Sequence, residues 1–146
     1  MKKGFTLMEL VVVIIIIGIL AMIGFPQFLM VAERGRASEG VNVLGILKSS
    51  QLRYATEHST TATDIDSLDM QPPNLRYFTM QAFPAALDPY DHDNVNSVVA
   101  TVQRNNIDNI SFGSYALSIA VNGSITCAPG NESSNICQAL GYAAAQ

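Results

Sequence analysis

The stretch MKKGFTLMELVVVIIIIGILAMIGFPQFLMVA, Met1 to Ala32, decides how the rest of the chain is read. From Leu10 to Ala32 there are 23 residues without a charge, bounded by Glu9 and Glu33. A helix needs ~20 apolar residues to cross the hydrocarbon core of a bilayer. Only Gly18, Gly24, Pro26 and Gln27 interrupt the aliphatic and aromatic side chains, and Ile14 to Ile17 is unbroken. The run therefore predicts a membrane-spanning segment. A cleavable secretory signal would instead show an apolar stretch of roughly 7–15 residues and then small residues in an Ala-x-Ala-like pattern, which does not follow. Lys2 and Lys3 precede the run and Glu33, Arg34 and Arg36 follow it, so the flanking charges leave its orientation open.

Composition extends this reading. A chain of 146 residues is close to one domain, which argues against a multidomain enzyme. Apolar residues make up 49% and charged ones 14%, against ~25% charged in ordinary soluble domains, so apolar surface is expected to face lipid or another chain. The same figures exclude an intrinsically disordered chain. A net charge of −4 argues against a polybasic nucleic-acid binder, and no direct nucleic-acid partner is expected. No phosphate loop, dinucleotide fingerprint, catalytic triad or internal repeat is visible. Neither catalysis nor a cofactor is expected.

The residues ahead of the apolar run carry more. Lys2-Lys3-Gly4-Phe5-Thr6-Leu7-Met8-Glu9 resembles the prepilin leader and processing site of type IV pilins and type II secretion pseudopilins. The resemblance is specific from Met1 to about Ala37 and architectural beyond. It implies that a membrane peptidase cuts after Gly4 and that the new N-terminal residue, Phe5, is N-methylated. Removal of residues 1–4 takes away Lys2 and Lys3 and moves the formal side-chain charge from −4 to −6. The leader is a targeting segment and takes no part in the fold.

Glu9 is a carboxylate near the start of an apolar helix, and a charge inside a bilayer costs a few kcal/mol and marks a functional site with a partner. The resemblance supplies that partner in the Phe5 amine, about one turn away or on a neighbouring subunit. At ~4 Å and an effective dielectric near 20 such a pair gains about 4 kcal/mol, comparable with the insertion cost. Pairing could then decide whether a subunit enters an assembly. The alternative is an interfacial Glu9 at the end of an ordinary membrane anchor.

Gly18 and Gly24 lower helix propensity, and Pro26 cannot donate to the carbonyl four residues before it. A kink or locally melted stretch is expected around Met22 to Pro26. The resemblance assigns Gly18, Gly24 and Pro26 to assembly, as positions where the helix curves or partly melts when subunits pack. Glycine and proline are also frequent in ordinary membrane helices, and the two readings are compatible.

After Ala32 the pattern becomes amphipathic, with Ala37, Val41, Leu44, Leu47, Gln51 and Ala55 at spacings of three and four. Val43, Ile46, Ser50 and Tyr54 form an adjoining stripe, so one side of the helix is expected to meet its own domain and the other its neighbours. Glu33, Arg34, Arg36, Glu39, Lys48 and Arg53 read as a solvated face or as ion pairs between subunits. Ser59 to Pro73 is rich in residues that prefer caps and turns and reads as a connection. Period-two or short apolar runs follow in Leu75 to Phe83, Val95 to Val102 and Ile110 to Val121, and Asn122-Gly123 marks a hairpin before Ile125 and Cys127. Three or four antiparallel strands are expected. The fold class is α+β: a long N-terminal helix, membrane-spanning in its first half and amphipathic in its second, packed on a small antiparallel sheet, the pilin fold that the resemblance implies. The divisions expected are residues 1–4 as leader, 5–32 as hydrophobic assembly helix, 33–58 as amphipathic helix and 59–146 as head.

Cys127 and Cys137 are the only cysteines. With the head translocated, as the resemblance implies, a disulfide between them is expected, worth roughly 2.5–3 kcal/mol in the chain-entropy model. It would bound a short C-terminal loop, Ala128 to Ile136, of the kind many type IV pilins carry and major pseudopilins commonly lack. A metal pair is the lesser alternative, since no histidine lies nearby to complete a site. Asp88, Asp91, Asp93 and Asn94 form an acidic loop that lacks the glycine and terminal glutamate of an EF-hand, and reads as calcium site or solvated loop. His58 and His92 read as surface or capping residues. Asn109-Ile110-Ser111, Asn122-Gly123-Ser124 and Asn131-Glu132-Ser133 match the glycosylation triplet.

The expected role is that of a structural subunit of a type IV pilus, with a pseudopilin of a type II secretion system as the alternative and a monomeric membrane-anchored domain as a third class. The partners implied are copies of the chain in a helical filament, the prepilin peptidase, the inner membrane and the assembly machinery. The expected route is from the inner membrane, with a periplasmic head, to an extracellular pilus.

Overall fold

A computed structural model describes residues 4–71, 74–105, 112–130 and 135–144. Lys2 and Lys3, Pro72-Pro73, the start of the expected strand at Ile110, and the triplets at Asn109 and Asn131 lie outside the described residues. The element order is α1 (Leu7–His58), β1 (Phe78–Met80), β2 (Val98–Arg104), β3 (Tyr115–Ala120), β4 (Ile125–Pro129), α2 (Ile136–Leu140) and β5 (Ala143–Ala144).

Helix α1 has 52 residues and contains Pro26. It is continuous through Met22 to Pro26, where the sequence leads one to expect a kink or melted stretch. It ends where Ser59 adopts φ 57°, a left-handed conformation, and donates its N–H to the Ala55 carbonyl at 2.9 Å. The chain divides into two compact units, Met1–Gly35 and Arg36–Gln146.

In the first unit Leu10, Ile14, Ile17, Ile23, Phe25 and Phe28 are each more than half exposed. This apolar surface is far larger than an ordinary soluble monomer leaves uncovered, so lipid or other helices must meet it. Among the described residues α1 is the one helix long and apolar enough to cross a membrane.

The second unit is built on a five-stranded sheet in the order β1-β2-β3-β4-β5. The first four strands pair antiparallel, and β5 pairs parallel to β4. Val102, Leu117 and Cys127 stand opposite one another across β2, β3 and β4, and all three are fully buried. The expected helical stripe is buried at Ala37, Leu44, Leu47, Gln51 and Ala55, and the adjoining stripe is buried as well at Val43 and Ser50, with Ile46 50% exposed. Each fully buried leucine is worth roughly 1.5–3 kcal/mol, so Leu44 and Leu47 hold this part of α1 to the head. Helix and sheet come close at Gly40, where an added Cβ would lie 3.1 Å from the Phe78 ring and 3.3 Å from Leu117. Phe78 also meets Tyr115 edge-on, with centroids 5.9 Å apart.

The Asn122-Gly123 hairpin forms. Gly123 donates to the Ala120 carbonyl at 2.9 Å and sits at φ 89°, so the turn is a three-residue loop with a left-handed glycine. Asn122 Oδ1 accepts from the Ser124 N–H at 2.7 Å. Strand β5 and helix α2 exceed the three or four strands that periodicity suggests. Gly141 at φ 88° closes α2, donating to the Gln138 carbonyl while Tyr142 donates to that of Cys137.

Candidate functional site

Thr6 immediately precedes α1, and its Oγ1 accepts the Glu9 N–H at 3.3 Å. This satisfies one of the four amides that every helix start leaves unpaired. Phe5, 79% exposed, precedes the cap, and Glu9 is exposed within the first turn. The cleavage, methylation and carboxylate positions expected from the sequence are thus gathered at one helix end. The Thr6 cap was legible as the Thr-x-x-Glu pattern of a capping box, a signal masked by the leader motif that overlaps it. Gly18, Gly24 and Pro26 lie further along α1. A Cβ added at Gly18 or Gly24 would meet nothing within 4 Å, which leaves both open to another helix.

At the far end of the chain Cys127 of β4 and Cys137 of α2 form a disulfide, with Cα atoms 5.4 Å apart. Both are buried. The bond ties α2, and through it β5, to the sheet edge. Of the loop it bounds, residues 131–134 lie outside the described residues.

The acidic loop is organised by its own backbone. Asp88 accepts from the Tyr90 N–H at 2.9 Å and Asp91 from the Asp93 N–H at 3.2 Å, while Asn94 Nδ2 donates to the Asp88 carbonyl at 2.9 Å. Among the described residues no three His, Cys, Asp or Glu side chains are placed to hold a metal ion.

Two carboxylates depart from the solvated face. Glu33 is buried, and Glu39 accepts the Arg76 and Tyr77 amides at 2.9 and 3.0 Å. Around the Tyr77 ring stand the guanidinium groups of Arg36, Arg76 and Arg104, at 5.1, 5.3 and 5.3 Å from its centroid. Arg53 makes a two-pronged contact with Asp69 at 2.7 and 2.8 Å. That hydrogen bonding holds the Asp69 carboxyl below the usual carboxylate range and raises Arg53.

Residues 1–25 match the family model described as the prokaryotic N-terminal methylation motif. The type II secretion system core protein G of Klebsiella michiganensis is 30% identical over 120 residues, 77% of this chain and 83% of that protein. The chain belongs to the type IV pilin and pseudopilin family. Other relatives match over shorter stretches. Fimbrial protein EcpC of Eikenella corrodens is 40% identical over 63 residues, 43% of this chain and 41% of that protein. The type IV major pilin protein PilA of Myxococcus xanthus is 41% identical over 56 residues, 38% of this chain and 26% of that protein. This chain spans less than half the length of those two relatives. No solved structure matches it. The family is one of structural subunits, and an apolar N-terminal helix with a small sheet head is the pilin-like architecture.

Proposed function

We propose that the chain is a filament-forming subunit of a type IV pilus. A peptidase cuts after Gly4, Phe5 becomes the methylated N-terminus, and the subunit waits in the inner membrane through its apolar helix, residues 5–32. Polymerisation then moves that helix from lipid into a filament core, one apolar environment replacing another. The observation that carries this reading is the uncovered apolar helix from Leu10 to Phe28, headed by Phe5, Thr6 and Glu9. The Glu9 carboxylate pairs with the Phe5 amine of a neighbour, and Gly18, Gly24 and Pro26 let helices approach and adjust. The amphipathic stretch, residues 33–58, joins this helix to the head, residues 59–146. The Cys127–Cys137 bond favours a pilus, since many type IV pilins carry such a C-terminal bond and major pseudopilins commonly lack it.

The match to core protein G, which runs through the head as well as the helix, favours a second reading as a pseudopilin. Intact mass and N-terminal residue, measured in material sheared from native cells and in washed membranes, separate the two. A chain beginning at methylated Phe5 and abundant in the sheared fraction is expected. The same chain confined to membranes would reassign it to a pseudopilus, and Met1 in both fractions would overturn the filament reading.

A further inference from the structure

Three of the chain's five arginines, Arg36, Arg76 and Arg104, converge on one ring although they come from a helix, a loop and a strand. An acidic chain thus gathers three guanidinium groups about one ring, with the buried Glu33 one helical turn before Arg36 and Glu39 one turn after it. Glu39, the carboxylate next to this ring, is engaged by the Arg76 and Tyr77 amides. Arg104 is 94% buried by the fold, with 6% of its surface accessible, while Arg76 is exposed and Arg36 and Tyr77 are half-buried. The planar guanidinium fork matches phosphate oxygens two at a time, and a tyrosine ring suits the border between hydrocarbon and water.

The place in the sequence names the occupant. Arg36 is the fourth residue after Ala32, the last of the uncharged run, a helical rise of ~6 Å. In a subunit whose residues 10–32 cross a bilayer, that rise ends among the lipid headgroups. We propose that the Arg36–Arg76–Tyr77 cluster, braced by Arg104, binds the phosphate of an anionic phospholipid headgroup while the subunit is held in the membrane. The site orients the head on the bilayer before assembly and releases the lipid when the helix leaves it. This inference rests on the membrane-anchored state described under the proposed function.

The test uses the full chain in phosphatidylcholine vesicles containing a trace of spin-labelled phosphatidylglycerol or spin-labelled phosphatidylcholine. Flotation reports insertion and the motionally restricted lipid fraction reports binding. The expected result is a preference for phosphatidylglycerol of about fivefold, the order for one basic side chain beside an anionic headgroup. Arg76→Gln should abolish it, Arg76→Lys should keep part of it, and Arg53→Gln, equal in charge change, should leave it intact. Circular dichroism and an intact disulfide confirm that each variant is folded. A chain that floats with no lipid preference overturns the lipid site alone, and a chain that fails to float overturns the anchored state beneath it. Loss of cross-linking between copies in Arg76→Gln, with no lipid preference in the wild type, would overturn the proposal and give the cluster to a subunit interface.

Discussion

Gln51 and Ala62 are joined by a reciprocal pair of hydrogen bonds. Gln51 Nε2 donates to the Ala62 carbonyl at 3.0 Å and Gln51 Oε1 accepts the Ala62 N–H at 2.8 Å, and both residues are buried. The side-chain amide does for the loop what a neighbouring strand would do. It fixes the chain where it leaves α1 and turns towards the sheet. The adjacent Thr61 continues the clamp, donating its N–H to the Leu87 carbonyl at 2.8 Å and accepting the Leu87 N–H at 3.1 Å.

Gln51→Leu keeps the volume of this side chain and strands two buried backbone groups. Each costs ~1–3 kcal/mol when left without a partner, so a loss of about 2–6 kcal/mol is expected. The midpoint of denaturant unfolding of the full chain in detergent reads it. A change below about 0.5 kcal/mol would show that water reaches Ala62 and that the clamp is dispensable.

The extent to which this was legible in the sequence follows from the range of each signal. An uncharged run and a 3.6-residue stripe are local and long, so α1 and its buried face at Ala37, Leu44, Leu47 and Ala55 were readable. Asn122-Gly123 is local and specific, so the hairpin was readable too. Gln51 showed only as a member of the stripe, because its partner Ala62 offers no side-chain signal. The five residues of α2 are too few for periodicity, and two alanines cannot announce β5. Glu39 looked solvated because its partners are main-chain amides 37 and 38 positions away. The arginine cluster was invisible for the same reason: Tyr77 collects cations that the sequence scatters.

The disulfide supports the C-terminal edge. Reduction, or Cys137→Ser, is expected to cost roughly 2.5–3 kcal/mol by freeing a loop of the unfolded chain. Because α2 and β5 depend on this anchor, amide exchange should rise first at residues 136–144 and only later in β2 and β3. Uniform loss of protection over the whole head would instead mean that the bond supports the fold globally.

The Arg53–Asp69 contact predicts a pH effect with a definite sign. Asp69 has its folded-state affinity for protons lowered, chiefly by the Arg53 hydrogen bond, so its contribution is present above the ordinary carboxylate pKa and fades as pH falls through the lower folded value. Both side chains are more than half exposed, at 56% and 59%, so the effect on stability should be small and weakened by salt. Carboxyl NMR should find Asp69 titrating below the other exposed aspartates, and Arg53→Gln should bring it back among them. An unshifted Asp69 in the wild type would refute the pairing in solution.

Gly123 is held at φ 89°, and a Cβ there would stand 3.0 Å from Lys48 Nζ. Gly123→Ala is therefore expected to lose about 1–2 kcal/mol, the left-handed penalty for a residue with a Cβ. The lysine tip can move aside at little cost. Combining it with Lys48→Ala separates the two, since strain in the backbone persists when the lysine is gone. A double variant as stable as Lys48→Ala would assign the whole effect to the steric contact.

Thr6 and Glu9 allow the capping and charge roles of the first turn to be taken apart. The bond from the Glu9 N–H to Thr6 Oγ1 uses the Glu9 backbone, so Glu9→Gln preserves it and removes only the negative charge. If the carboxylate pairs with the Phe5 amine of a neighbour, a contact of about 4 kcal/mol is lost, and surface filaments should fall below detection while the chain accumulates in membranes. Thr6→Val removes the cap and keeps the charge. A helix cap is worth ~1 kcal/mol, so filaments should form at reduced yield. Immunoblots of sheared and membrane fractions read both variants. Normal filaments from Glu9→Gln would mean that the carboxylate serves the helix end alone, and filament loss from Thr6→Val equal to that from Glu9→Gln would mean that the cap, rather than the ion pair, sets the geometry on which assembly depends.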